Sequence, residues 1–286
     1  MTDGLRVETA DAVRIITLDR PNRLNAISRD VIAGLEALLD ETERDADVRV
    51  LVITGAPRPD GRGCFCAGAD LKELARGGAA GVGEREFDLV REVTGVAGGD
   101  HLGAEGFRRV LSRLETFPKP VLAAIDGVCT AGGIEIALSC DLRICADSAS
   151  ISDLHVTNVF HTGGGGATSR LSRLVGPAYA KEMIFLGLVL DGAEAHRIGF
   201  ANVVVPASDL LDTARRLARE IATRHPVALR VAKALADIAP YQSRDESLRY
   251  DYLCWTAQML TTGGYAGAQS FAGDTTPAGE STEAGE

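Results

Sequence analysis

The stretch Lys119–Ala146, KPVLAAIDGVCTAGGIEIALSCDLRICA, decides how this chain is read. Val121–Asp126 is a continuous apolar run of strand length closed by an acid, the pattern of a strand buried on both faces. Gly132-Gly133 then opens a helix that runs through Ser139, and Asp141–Ala146 returns as a strand. Strand, glycine turn, helix and strand in such close succession predict an α/β core built on parallel strands. Glu135 stands on the helix three residues after Gly132, so its carboxylate lies above the same face as the Gly132 amide. An acid there complements the first helical turn. Its neighbours Ile134, Ile136, Ala137 and Leu138 point instead to a buried carboxylate, which needs a partner or a purpose.

The flanks extend the same pattern. Leu5–Thr9 and Val13–Leu18 read as two strands joined at Asp11-Ala12, and Pro21-Asn22 breaks the run. Ser28 can cap a helix whose apolar stripe is Val31, Leu35, Leu38 and Leu39. Val48–Thr54 is a further buried strand ending at Gly55. Downstream, Asp191 and Glu194 form a capping-box pattern for a short helix that Gly199 ends, and Phe200–Val205 is the last strand. From Ser208 the pattern is helical, with Leu210, Leu211, Ala214, Leu217, Ala218 and Ile221 on one face. Two stretches break the order. Residues 75–106 are rich in glycine and alanine and read as a mobile loop with a helix around Glu84–Val93. The tail Ala272–Glu286 reads as disordered. No internal repeat is visible.

Composition bounds the function. The 286 residues are 45% hydrophobic and 24% charged, ordinary for a globular protein, while 32 glycines are well above the usual share of about 7%. Thirty basic against forty acidic residues give a net charge of −10, which disfavours a nucleic-acid partner. No apolar run reaches the roughly 20 residues that span a bilayer, and the N-terminus lacks the layout of a signal peptide. The expectation is a cytoplasmic protein with no membrane partner. Cys64, Cys66, Cys129, Cys140, Cys145 and Cys254 form no CxxC pair and no zinc spacing, so they read mostly as buried free thiols, with no metal site. Cys64 and Cys66 sit in a loop-like setting where a reactive thiol is the less favoured alternative.

A second small-residue turn, Cys66-Ala67-Gly68-Ala69-Asp70, runs into a helix at Leu71-Lys72-Glu73-Leu74. Small side chains allow close approach to the backbone, and a helix start presents free N–H groups to negative charge. A glycine turn without a ligand is an equal reading of that stretch alone.

Taken together, these pieces resemble the crotonase (enoyl-CoA hydratase/isomerase) superfamily over roughly residues 5 to 265. The resemblance rests on Arg20-Pro21-Asn22-Arg23-Leu24-Asn25-Ala26, Cys66–Leu71, Lys119-Pro120-Val121, Ala131–Glu135, Cys140-Asp141-Leu142-Arg143, and the glycine run into Arg173-Leu174-Val175-Gly176. It implies an α/β crotonase (ClpP-like) fold: a spiral of ββα units over residues 1–205, a helical trimerisation region over 206–265, and a tail over 266–286. It implies that the Ala69 and Gly132 amides form an oxyanion hole for an acyl-CoA thioester. Leu24, Ala26, Ala67, Asp70, Leu71 and Gly133 would line the CoA site, with Arg23 and Lys72 as candidates for its phosphates. No cofactor is implied beyond the CoA of the substrate, and the partner expected is a second and third copy of the chain, as trimer or hexamer.

Glu135 matches one of the two glutamates of the family's hydratases. At the second position this chain has His155, within Ser152-Asp153-Leu154-His155, and no glutamate lies between Glu135 and Glu182. His155 replaces the missing acid, or is structural while Glu135 works alone, or only shapes the acyl pocket. Histidine suits the first task because it titrates near neutrality, and Asp153 would orient it if the segment is extended. His161 reads as a structural loop histidine. Tyr250, Tyr252 and Trp255 either line the acyl pocket or pack the last helix. The leading expectation is hydration of a 2-enoyl-CoA. The alternatives are an isomerase with one acid/base, a thioester or β-diketone hydrolase, and a catalytically weak CoA-binding protein.

Overall fold

The computed structural model describes residues 3–76 and 104–261. The expected helix at Glu84–Val93 and the tail lie outside the described residues. The chain divides into two compact units, with the boundary between Thr223 and Arg224.

In the first unit the strands sort into two sheets. The larger sheet is ordered β1 (Leu5–Ala10), β2 (Val13–Leu18), β3 (Val50–Gly55), β5 (Val121–Ile125), β7 (Leu142–Ala146) and β9 (Val203–Val205). Its first pair is antiparallel and every later pair is parallel. The smaller sheet is β4 (Cys64–Cys66), β6 (Val128–Thr130) and β8 (Ser150–Ser152), all parallel. Between β3 and β9 the chain alternates between the sheets, strand by strand. This is the spiral of ββα units expected from the sequence.

Why the strands are so apolar follows from their two covered faces. Along β3, Leu51 and Ile53 enter one hydrophobic core while Val50 and Val52 enter a second. Along β5, Val121, Ala123 and Ile125 face the first and Leu122 and Ala124 the second. The period of two is therefore real, but both faces are dry, so no polar residue marks it. The second core is closed by the helix Leu210–Ala222, which buries Leu210, Ala214 and Ala218. That helix belongs to the first unit, so the helical unit begins at Arg224 and not at residue 206.

The helices of the first unit are α1 (Arg29–Arg44), α2 (Leu71–Arg76), α3 (Ala104–Glu115), α4 (Gly132–Leu138), α5 (Ala167–Val175), α6 (Pro177–Leu186), α7 (Gly192–Arg197) and α8 (Leu210–Ala222). Ser28 caps α1 through its hydroxyl, 3.3 Å from the Val31 N–H, and the stripe Val31, Leu35, Leu38, Leu39 is buried as expected. The capping box at α7 is half formed. Asp191 accepts from the Glu194 N–H at 2.8 Å, but the Glu194 carboxylate goes to Arg197 and Tyr179.

The second unit, described to Thr261, holds α9 (Pro226–Ile238) and α10 (Arg244–Thr261). On α10 the rings of Tyr252 and Trp255 stack with centroids 5.8 Å apart.

All the cysteines but Cys254 are buried. Cys64 and Cys66 lie in β4, not in a loop, and burial pushes their thiols up to about 11 and about 12. A thiol so far above neutrality carries almost no thiolate, so neither is a reactive nucleophile.

One glycine fixes how close α4 comes to β4. A Cβ on Gly133 would lie 2.2 Å from the Cys66 carbonyl oxygen. Gly133→Ala is therefore expected to lose about 1–3 kcal/mol, because backbone on both sides must shift. Chemical denaturation reads this directly, and an unchanged midpoint would mean that the two elements can slide apart freely.

Candidate active site

Two turns meet above the small sheet. The Gly68 turn leaves β4 and leads to α2, and the Ala131 turn leaves β6 and leads to α4. They touch backbone to backbone: a Cβ on Gly68 would fall 2.9 Å from the Gly132 nitrogen and 2.7 Å from the Ala131 Cβ. Gly68 adopts φ +94°, and Ala131 is held at φ +49°, a conformation that costs an L-residue free energy. The Ala69 segment is pinned from the other side by Ile27, whose N–H donates to Gly68 O at 2.8 Å and whose carbonyl accepts from Asp70 N at 2.9 Å. That bridge uses the groups on either side of Ala69 and leaves the Ala69 N–H out. Among the described residues, neither the Ala69 nor the Gly132 N–H has a protein acceptor. Two backbone donors without a protein acceptor among the described residues therefore stand on adjoining turns.

Glu135 lies one turn into α4 and is only 2% exposed. Its carboxylate accepts from the Ala167 N–H at 3.3 Å and from the Gly165 N–H. Burial pushes the carboxyl above its ordinary value, and the His155 charge with the two backbone donors offsets part of that rise.

His155 opens a π-helical turn, His155–Val159, directly after β8. Leu154, between them, takes φ −104° and ψ 15° and is not extended, so Asp153 reaches the imidazole in a different way from the shared strand face expected. Asp153 Oδ1 accepts from the His155 backbone N–H at 3.1 Å and lies 2.7 Å from Nδ1. One carboxylate oxygen thereby fixes both the backbone and the ring. Asp153 is 1% and His155 is 7% exposed. Burial pushes the imidazole down, but the Asp153 hydrogen bond and the charges of Asp153 and Glu135 outweigh it and hold it above its ordinary value.

The glycine run Gly163–Gly166 lies against both groups. A Cβ on Gly163 would fall 2.6 Å from His155 Nε2, and one on Gly165 would fall 2.4 Å from the Glu135 carboxyl carbon. His161 is exposed and its Nδ1 accepts from the Gly163 N–H at 3.0 Å, which fits the structural role read for it. The run's role in packing over Glu135 and His155 was missed from the sequence. Four successive glycines were the available signal, since such a run serves where backbone must pass close to other groups.

The remaining sequence candidates divide. Ala67, Leu24 and Ala26 lie together at the Gly68 turn, with the Ala67 N–H donating to Leu24 O at 3.0 Å. Arg23, Leu71 and Lys72 are exposed beside them. The Asp70 side chain is occupied. It is paired with Arg20 at 2.9 Å and accepts from the Glu73 N–H at 3.2 Å, and despite the opposing effect of burial these contacts hold its carboxyl below the usual value. Arg20 in turn reaches Ala26 O at 2.6 Å. Asp70 thus ties α2 to the segment that carries Leu24 and Ala26. Gly133 is buried beneath the turn against Cys66 and serves packing.

A family model described as enoyl-CoA hydratase/isomerase matches residues 8–250. The chain belongs to that family. Among curated enoyl-CoA hydratase/isomerase relatives, the short-chain-enoyl-CoA hydratase of Clostridium acetobutylicum is 36% identical over 227 residues, covering 79% of this chain and 78% of its own. The mitochondrial methylglutaconyl-CoA hydratase of Mus musculus is 33% identical over 281 residues, covering 93% and 82%. Among solved structures, an enoyl-CoA hydratase from Bacillus anthracis superposes with a TM-score of 0.82 at 31% identity, over 96% of this chain and 98% of that one. The protein is thus an enzyme of the enoyl-CoA hydratase/isomerase family with the crotonase fold.

Proposed function

We propose that this enzyme hydrates a 2-enoyl-CoA thioester with Glu135 and an Asp153-oriented His155 as its acid/base pair. The observation that carries the reading is the burial of Glu135, Asp153 and His155, with the glycine run packed against Glu135 and His155. The thioester oxygen accepts from the Ala69 and Gly132 N–H groups, which stabilise the enolate as it forms. Losing one such donor in a comparable site costs about 3–4 kcal/mol of barrier. Glu135, ionised, takes a proton from water as its oxygen bonds to Cβ. His155, protonated, gives a proton to Cα. Water is added across the double bond, and the proton left on Glu135 returns to His155 to reset the pair. The perturbations run the right way: a carboxylate made more basic by burial and an imidazole whose pKa Asp153 helps hold above its ordinary value.

The CoA portion arrives with the substrate, and the exposed Arg23 and Lys72 are the candidates to meet its phosphates. The names of the curated relatives support the substrate class. Among the described residues no helix is long and apolar enough to cross a membrane. The trimeric or hexameric assembly implied by the resemblance and the cytoplasmic setting expected from the sequence belong to the same proposal.

The presence of one carboxylate where the family's hydratases have two favours an isomerase as the second reading. The two are separated by incubating the protein with crotonyl-CoA and with a 3-enoyl thioester. Hydration removes the enoyl-thioester absorbance and yields a 3-hydroxyacyl product. Conversion of the 3-enoyl to the 2-enoyl compound, with no hydroxy product from either, would replace the hydratase reading by the isomerase.

A further inference from the structure

We infer that Arg170 is a positioning residue for Glu135, acting through the peptide of Gly165; the inference deepens the hydratase reading and rests on it. Arg170 lies on α5, one turn past the glycine run, and is mostly buried. Its Nε and Nη2 donate to the two carboxylate oxygens of Glu115 at 2.6 and 2.7 Å, a bidentate fork that fixes the guanidinium plane. Its Nη1 donates to the Gly165 carbonyl. The same Gly165 lies with its backbone against the Glu135 carboxylate, where a Cβ would fall 2.4 Å from the carboxyl carbon. One residue therefore connects the guanidinium on one side with the acid/base carboxylate on the other. Glu115 is the last residue of α3, where a carboxylate opposes the helix dipole, so the fork also anchors the run to that helix end.

Four glycines in a row have no side chains with which to hold their own conformation, and backbone freedom there is at its greatest. An external clamp is what keeps the Gly165 and Ala167 N–H groups aimed at Glu135. Removing it should let those donors drift, and Glu135 then loses stabilisation of its charged form and titrates higher. The other groups around Glu135 do not mask this. His155 and Asp153 belong to the β8 side and are not touched by Arg170. Among the described residues, Arg170 and the Glu115 paired with it stand behind Gly165. Cys66 and Cys129, from β4 and β6, are thiols that burial keeps protonated.

The test uses the full-length enzyme carrying carbon-13 at the glutamate carboxyls, with Glu135→Gln assigning the Glu135 resonance. Arg170→Gln is expected to move the Glu135 midpoint upward and to lower kcat about tenfold while KM changes much less, since the loss is of alignment and not of binding. Arg170→Lys, which keeps the charge and can still reach the carbonyl, should recover part of both. Glu115→Gln, at a half-exposed helix end, repeats the test where Arg170→Gln fails to fold, and should move the midpoint the same way by less. An unmoved Glu135 midpoint in Arg170→Gln and Glu115→Gln would overturn the inference, as would kcat and KM changing together with no shift of the acidic limb of the rate profile. A wild-type protein that turns over no enoyl thioester, but whose Glu135 midpoint still moves in Arg170→Gln, would fail the functional reading alone and leave the positioning role standing.

Discussion

Glu135→Gln is expected to lower kcat on crotonyl-CoA by about a thousandfold with KM little changed, because the amide keeps the shape of the site but takes no proton from water. Stability should move the other way. Burial raises the Glu135 carboxyl above its unfolded value. Below the unfolded value both states are protonated and the group is neutral to folding. As pH rises through that value the unfolded chain ionises first, and stability falls until the folded carboxyl has ionised as well. The wild type therefore carries a penalty at neutral and higher pH that glutamine lacks. Thermal melts at pH 4 and pH 8 should show the variant gaining on the wild type only at the higher pH. A variant that keeps full activity sinks the mechanism. One that melts lower at pH 8 shows that the ionised carboxylate is a structural keystone instead.

The second large effect belongs to Asp153→Asn. Its carboxylate helps hold the His155 pKa above its ordinary value against burial, so its loss should lower the imidazole pKa and pull the basic limb of the kcat profile to lower pH. At pH 8 the expected loss is about tenfold to a hundredfold, shrinking at lower pH where His155 recovers its proton. The stability sign is opposite to that of Glu135. A histidine whose folded pKa is raised adds stability below its unfolded value, near 6.5, and that contribution is lost as pH rises through the folded value. Asp153→Asn should thus melt well below the wild type at pH 6 and approach it at pH 9. A profile whose basic limb does not move would assign the proton to another group, and His155→Ala with intact activity would remove the imidazole from the mechanism altogether.

Much of the frame was legible in the sequence because both faces of the central strands are buried. Val121–Ile125 and Val50–Ile53 stand out as unbroken apolar runs for that reason. The small sheet was invisible for a physical cause: β4, β6 and β8 are three residues each and mix cysteine, serine and threonine, too short to show a period. The site divides along the same line. Glu135 announced itself by standing in an apolar helix, and His155 by standing where the family pattern has an acid. The geometry joining His155 to Asp153 did not show, because two residues of spacing fit an extended strand as well as a turn. Arg170 and Glu115 left no local mark at all. An arginine on a short helix and a glutamate 55 residues before it gain meaning only when α3 and α5 are brought together.

The two parts of this site are written into the chain in different ways. In the proposed reaction the anion-binding half is made of peptide N–H groups at Ala69 and Gly132, which every residue but proline supplies. A point mutation there can distort the pocket but, proline apart, cannot delete the donor by changing a side chain. The proton-handling half is made of side chains at positions 135, 153 and 155, each open to replacement by a single codon change. Such an enzyme inherits the stabilisation of its intermediate as a property of the fold, while the fate of that intermediate is free to drift. A histidine occupying the place of a glutamate is the form such drift takes, and the same frame can pass from adding water to shifting a double bond without being rebuilt.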